Sequence, residues 1–387
     1  MEPYAQLSTL PPDRADRLDW PAVCASVPEL SALGESMQDP IYHQEGDVLT
    51  HTRMVIEALV ELDAYRQADA TGRFVLFYAA LLHDIAKPSC AVHDGERIGN
   101  PGHSRRGAID ARIMLWRAGV PFALRERICQ IIAHHQVPFF AINGLRGGES
   151  AEFIVRDLSW KLAFGERSAG LADLAAVAEA DIRGRICADT QRTLDNIELF
   201  RELAREEGCY GGPRGFPDAH TRVMYCRSRG ALCLDYPFFQ ERGAQVTVLA
   251  GLPASGKNTW VENNAKGLPV VSFDDARAEL GLKHGSHAGA AVQRALEKAR
   301  ICLRAQSSFV WNATHLSQQM RAKTLDLLYD YRAEVRIVYL EASFKEIFRR
   351  NSERNTTLTN RELEKMLLRW ELPLATEAHH VEYRVDT

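Results

Sequence analysis

The sequence predicts two domains of different class, an all-α helical bundle followed by an α/β domain with a parallel sheet. Three observations predict this. Up to about residue 205 the apolar residues recur at helical spacing, with no convincing strand pattern. The window Gly208–His220, "GCYGGPRGFPDAH", holds four glycines and two prolines, the composition of a break in the chain. From Gln245 onward, short β-branched runs alternate with helical stretches, the pattern of parallel strands joined by helices. The expected boundaries are 1–207 for the bundle, 208–242 for a connecting segment and 243–387 for the α/β domain.

In the bundle, "HTRMVIEALVEL" sets Met54, Val55, Ala58, Leu59 and Leu62 on one helical stripe. "FVLFYAALLHDIAK" reads as a strongly apolar helix stopped by Pro88. "LRERICQIIAHH" aligns Ile128, Ile131 and Ile132, and "LADLAAVAEADI" aligns Leu174, Val177 and Ala178. In the second domain, "QVTVLAG", "LPVVSFDD", "SSFVWNAT" and "EVRIVYLEA" are four apolar runs of strand length.

The bulk numbers exclude several classes. The 387 residues suit two or three domains, and 46% hydrophobic with 25% charged residues is ordinary for a globular protein. A net charge of -4 argues against a broad non-specific duplex binder, though a few arginines can still grip a nucleic-acid end. Eight scattered cysteines without a C-x-x-C pair are expected to be reduced thiols of a cytoplasmic protein. The first twenty residues lack the apolar core of a signal peptide. No run approaches the roughly 20 apolar residues that cross a bilayer.

The bundle places its histidines at element ends. His51 opens the first stripe, His83-Asp84 closes the buried helix, His103 follows "NPG", and His134-His135 closes the isoleucine stripe. Asp181 continues the stripe of Leu174, Val177 and Ala178. That points a carboxylate into the core, a costly placement unless it is paired or bound to metal. Imidazole and carboxylate donors together suit Zn, Mn, Fe, Co or Ni, and helical bundles assemble such sites from inward-facing side chains.

The string "HT…LLHDIAKP…GHS…HH…AEADIRGR" resembles the HD phosphohydrolase superfamily in its two-metal form, over roughly residues 40–200. The resemblance implies one or two divalent metals. His51, His83, Asp84 and Asp181 would hold the first; Asp84 would bridge to a second held by His103, His134 and His135. Such a pair of ions clamps a phosphate and activates water. Lys87, four residues after His83, is either a catalytic neutraliser of a phosphate oxygen or a solvated lysine at a helix end.

"LAGLPASGKNTW" fits the phosphate-binding loop, a Gly, four residues, then Gly-Lys, at Gly251, Gly256 and Lys257. Its backbone N–H groups, with Ser255 among the loop residues, would wrap the phosphates of ATP or another NTP, helped by the following helix N-terminus. Lys257 would sit between the β- and γ-phosphates, and Thr259 would reach the α-phosphate. Asn258 replaces the hydroxyl that normally ligates Mg²⁺, but its carbonyl is also a hard oxygen that can bind directly or through water. Asp274 and Asp275 follow the second strand, where an open α/β sheet borders its ligand. Asp274 is expected to be the general base, with Asp275 as its partner in substrate binding or as a helix cap. Arg277 and Arg321 are candidates for substrate contacts, and "FRRNSERN" offers Arg350 and Arg354 as lid arginines that stabilise the migrating phosphoryl group.

This half resembles the phage polynucleotide kinase group through "GLPASGKNTW", "FDDARAEL" and "RRNSERN", with Asn258 as the departure from the pattern. The order of the two halves resembles a bacterial family of bifunctional end-healing enzymes that fuse an HD phosphohydrolase to a polynucleotide kinase. That resemblance implies removal of 2′,3′-cyclic or terminal phosphates by the first half. The second half would phosphorylate 5′-OH ends of RNA or DNA from ATP and Mg²⁺, with a ligase acting downstream and no membrane partner. The alternatives are an HD nucleotidase fused to a nucleoside or sugar kinase, and an HD phosphohydrolase gated by ATP.

Overall fold

The computed structural model describes residues 3–95, 97–143, 148–164, 170–239, 241, 243–282, 288–353 and 358–386. The chain divides into two compact units, Met1–Gly215 and Phe216–Thr387. Among the described residues no helix is long and apolar enough to cross a membrane, and all eight cysteines are free.

The first unit is helical: α1 (Val48–Glu61), α2 (Ala70–Leu82), α3 (His103–Arg117), α4 (Phe122–His134), α5 (Ala151–Lys161), α6 (Leu171–Arg183) and α7 (Thr190–Glu206). Asp47 starts α1 by accepting from Thr50 N, and Asp69 starts α2 by accepting from Gly72 N, each satisfying a donor that the helix cannot. Helix α2 is buried from Phe74 to Leu82, which makes it the centre of the unit. Val55 and Leu59 of α1, the isoleucines of α4 and Leu174 and Val177 of α6 pack into the same core. Truncating one of these to Ala would cost about 2–5 kcal/mol.

Two expectations need correction here. Helix α2 ends at Leu82, and His83 is its C-cap. Pro88 lies instead in the first turn of a separate short helix, Lys87–Cys90, where a missing N–H costs nothing. His83 and Asp84 therefore lie in the turn between the two helices. The unit also contains a hairpin, β1 (Val92–Asp94) and β2 (Arg97–Gly99), with Asp94 opposite Arg97. Its strands are too short and too exposed to show a period of two; Asp94-Gly95 was the legible cue.

The second unit begins with α8 (Ala219–Arg227), which lies inside the stretch read as a connecting segment. Arg222 ties it down by donating to the carbonyls of Ala375, Ala378 and His379. A five-stranded parallel sheet follows, in the order β4 (Val270–Ser272), β5 (Phe309–Asn312), β3 (Gln245–Ala250), β6 (Glu334–Glu341), β7 (His380–Val385). The central strands are buried on both faces, as a parallel sheet flanked by helices requires. The flanking helices are α9 (Lys257–Asn264), α10 (Phe273–Glu279), α11 (Ala288–Arg304), α12 (Gln318–Asp330), α13 (Phe344–Glu353) and α14 (Asn360–Leu367). Strand β7 was not anticipated. It is a half-exposed edge strand with polar residues between Val381, Tyr383 and Val385, so no apolar run marks it.

Candidate metal centre and phosphate loop

The first site forms where α1, the turn after α2, the start of α3, the end of α4 and α6 converge. Gly184 controls how closely α6 approaches α1. A Cβ there would lie 2.6 Å from Val55 N, so a glycine is needed for the contact. The approach presents Asp181 and the Gly184 carbonyl to His51. The ligand atoms of His51, His83 and Asp181 lie within 4.8 Å of one another, and so do those of Asp84, His103 and His135. Asp84 joins the trios: Oδ2 is 3.1 Å from His83 Nε2, and Oδ1 is 3.4 Å from His103 Nε2 and 4.0 Å from His135 Nε2. His134, expected as a ligand, belongs to neither trio. Consecutive helical residues point in different directions, and His135 is the one that faces Asp84.

The tautomers follow from the partners, because a backbone carbonyl can only accept. His83 Nδ1 donates to Ala80 O at 2.6 Å, His103 Nδ1 to Asn100 O at 2.7 Å, and His135 Nδ1 to Ile132 O at 2.8 Å. His51 Nδ1 faces Gly184 O at 3.2 Å and Glu45 Oε1 at 3.1 Å, acceptors both. Neutral imidazoles thus carry their protons on Nδ1 and aim four Nε2 lone pairs at two carboxylates. His51 Nε2 lies 3.1 Å from Asp181 Oδ1. His83 Nε2, His135 Nε2 and Asp84 Oδ1 are buried without a hydrogen-bond partner. Lone pair against lone pair in a dry interior is costly, and a divalent cation in each trio removes that cost. The donor set therefore fits such ions.

The charges set His83 apart from His103 and His135. Burial pushes His135 down to about 3, opposed by the nearby carboxylates, and pushes His103 down as well, so both are held neutral. Burial also opposes charge on His83, but the Asp84 carboxylate outweighs it and raises that pKa. Burial would raise Asp84, yet His83 and Lys87 hold it well below the ordinary carboxylate range. Asp181 is held low against burial chiefly by Arg185, whose Nε and Nη2 bond its two oxygens at 2.8 and 2.7 Å.

Lys87 is buried, which removes the solvated alternative. Its Nζ lies 2.7 Å from Asp84 Oδ2 and donates to Gln38 Oε1 at 2.6 Å. Sequence reasoning missed Gln38, His43, Glu45 and Arg185. Glu45 contacts His43 Nδ1 at 2.7 Å as well as His51. Arg185 was readable, four residues after Asp181; the others reach the site on a loop without periodicity.

In the second unit β3 runs into the phosphate loop and α9 leaves it. Gly251 has φ 141°, and a Cβ there would meet Leu340 O at 2.3 Å, so a side chain is excluded. Ala254 also takes a left-handed φ of 65°, a strained conformation for a residue with a Cβ. Gly251 N donates to Thr314 O, which anchors the loop at the end of β5. Lys257 Nζ donates to Gly251 O at 3.0 Å and Leu252 O at 2.7 Å, folding back on its own loop. Asn258 is exposed, as is Thr259. The Asn258 carbonyl accepts from Asn312 Nδ2 at 2.9 Å, so the residue in the hydroxyl's place is held by the end of β5.

Other expectations here change. Ser272 caps α10, accepting from Asp274 N and Asp275 N at 3.1 Å each, so neither aspartate is the cap. Asp274 is paired with Arg277 at the start of the helix. Arg321 is not placed to touch a substrate. It is buried, its guanidinium bonded to the Glu377 carboxylate and to the carbonyls of His315, Glu371 and Leu372. It ties α12 to the segment leading into β7. Arg350 pairs with Glu346 within α13, and Arg354 lies outside the described residues.

The AAA domain family matches this chain over residues 246–373. A multifunctional CCA protein of Halorhodospira halophila is 32% identical over 131 residues, 34% of this chain and 29% of that one. A multifunctional CCA protein of Xanthomonas campestris pv. campestris is 29% identical over 183 residues, 47% of this chain and 41% of that one. The matched part is thus less than half the length of these curated relatives. Among solved structures, a sugar kinase from Janibacter sp. HTCC2649 aligns with 37% of this chain and 85% of its own at 18% identity, TM-score 0.29. The chain is a helical region followed by a P-loop α/β domain.

Proposed function

We propose that the chain is a bifunctional nucleic-acid end-healing enzyme. In this reading the first unit is an HD-type phosphohydrolase that removes 2′,3′-cyclic or terminal 2′/3′-phosphates. The second unit is a 5′-hydroxyl kinase. The observation that carries it is the convergence of four Nε2 atoms on two buried carboxylates, with His83 Nε2 and His135 Nε2 left without a hydrogen-bond partner. Divalent cations such as Mn²⁺, Co²⁺ or Ni²⁺, held by His51, His83, Asp84 and Asp181 and by Asp84, His103 and His135, would supply Lewis acidity for phosphoester hydrolysis. Lys87 stands beside Asp84 to neutralise a phosphate oxygen, and Gln38 fixes its ammonium.

In the second unit, Lys257 exchanges its loop carbonyls for the β- and γ-phosphates of an NTP, with Thr259 and the loop N–H groups completing the cradle. Asp274 accepts the proton of the attacking 5′-hydroxyl once Arg277 turns to the substrate phosphate. Asp275 lies beside them on the same turn. Arg350 and Arg354 are assigned to the migrating phosphoryl group. Asn258, oriented by Asn312, would offer the remaining lone pair of its carbonyl oxygen to the Mg²⁺ that accompanies the NTP. The relatives' name, multifunctional CCA protein, supports combined activities on a nucleic-acid end. The products of the two units, a 3′-OH and a 5′-phosphate, are what a ligase consumes. Free cysteines throughout fit a reducing compartment, and we assign the chain to the cytoplasm.

The test uses two oligonucleotides. With ATP and Mg²⁺, a 5′-OH oligonucleotide gains a phosphate; with Mn²⁺, Co²⁺ or Ni²⁺, one water opens a 2′,3′-cyclic-phosphate end to a monoester and a second releases inorganic phosphate, leaving free hydroxyls. If neither end changes, the proposal is wrong. If free nucleosides outcompete the oligonucleotides, the substrate is a small molecule.

A further inference from the structure

The metal cluster is bordered by a strap, residues 37–47, that closes on itself. Met37 bridges Asp47, and Gln38 N donates to Gly46 O at 3.1 Å. Both ends are pinned to the site. Gln38 takes the Lys87 ammonium at one end, and at the other Glu45 faces His51 while accepting from Ile186 N at 2.9 Å. The strap inverts the usual partition of residues. Its polar Gln38, Asp39 and His43 are buried, whereas Met37, Ile41 and Tyr42 are 59%, 55% and 47% exposed. Ile186, whose carbonyl accepts from Gln44 N, is 48% exposed beside them.

Tyr42 is not left to itself. Asp39 holds Arg97 of β2 through Nε at 2.6 Å, and the Arg97 guanidinium lies 5.6 Å from the Tyr42 ring centroid. The next residue, His43, packs its ring 4.9 Å from that of His51. An exposed aromatic face, backed by a cation and next in sequence to a histidine whose ring packs on His51, is the chemistry that receives a base attached to a phosphate.

We propose that Tyr42, backed by Arg97, is a stacking platform for the nucleobase of the nucleotide whose phosphate enters the histidine cluster. This deepens the phosphohydrolase reading above and rests on it. The base takes the ring face that Arg97 leaves open, and the guanidinium offsets the backbone charge. Met37, Ile41 and Ile186 form the apolar surround.

The test measures KM and kcat for an oligonucleotide ending in a 2′,3′-cyclic phosphate, and for the same oligonucleotide whose terminal ribose lacks its base. Tyr42→Ala raises KM for the first by about 5- to 150-fold, the range spanned by one base stack, with kcat little changed. It leaves the abasic substrate unaffected, and Tyr42→Trp restores the parent KM. An unchanged KM, or an equal rise on both substrates, overturns the platform while the hydrolase stands. If the parent protein hydrolyses neither substrate, the phosphohydrolase reading falls and the platform falls with it.

Discussion

The two sites handle their unsatisfied groups in opposite ways. In the histidine cluster the protein orients four imidazoles through their Nδ1 atoms, leaves His83 Nε2 and His135 Nε2 buried without a hydrogen-bond partner, and sets the Lys87 ammonium against Asp84 Oδ2. In the phosphate loop Lys257 is bonded to the loop's own carbonyls. The first site is preorganised at a cost that a cation repays. The second is self-satisfied and must exchange hydrogen bonds before it holds a ligand. The cluster's geometry is fixed by the backbone carbonyls that face each Nδ1. A half-exposed loop can rearrange.

The largest expected effect separates the two sites. Asp84→Ala removes the carboxylate that joins the two trios and lowers phosphate removal by at least about 10²–10³-fold while sparing 5′ phosphorylation; Lys257→Ala does the reverse. Assaying both variants on both oligonucleotide ends checks this, and a variant that loses both activities would argue for one composite site. Next in size is Glu45→Gln. It weakens the anchor of His51 and lowers cation affinity about 10–100-fold, as the loss of an outer partner does. Competition with a chelator measures it, and an unchanged affinity would reduce Glu45 to a strap contact.

The last effect concerns pH and the second unit. His315 is buried with Nδ1 donating to Leu249 O at 2.8 Å, and burial lowers its pKa to about 4. An unfolded histidine titrates near 6.5, so the unfolded chain takes up the proton first. Stability is therefore full above about pH 6.5 and falls as pH drops towards about 4, by about 3 kcal/mol in all for this group. His379 acts in the same sense: Val335 N donates to its Nδ1, which must stay unprotonated. Calorimetry of the unfolding transition that ATP shifts would record this decline, and a flat profile between pH 7 and 5 would contradict it.

Much of the site was legible because its signals are local. His83-Asp84 ends an apolar helix, Asp181 keeps the spacing of Leu174 and Val177, and the glycines of the phosphate loop stand at fixed offsets from Lys257. What escaped depends on contacts distant in sequence or on segments without a period. Glu45 and Gln38 reach the cluster only because the strap folds back. Arg321 resembled a ligand-binding arginine at the end of a strand, but its carboxylate partner is 56 residues away. The edge strand β7 signals itself by alternation, with Glu382 and Arg384 between Val381, Tyr383 and Val385, and not by an apolar run like the other four strands of its sheet. His134 and His135 were indistinguishable until the end of α4 fixed which of them faces Asp84.

The central claim is that the histidine cluster is a cation site built in advance. Isothermal titration of chelator-treated protein with Mn²⁺ tests it most directly. The account predicts saturable binding of one or two ions per chain, lost in Asp84→Ala and retained in Lys257→Ala. No binding to the parent protein, or equal binding to Asp84→Ala, would contradict it.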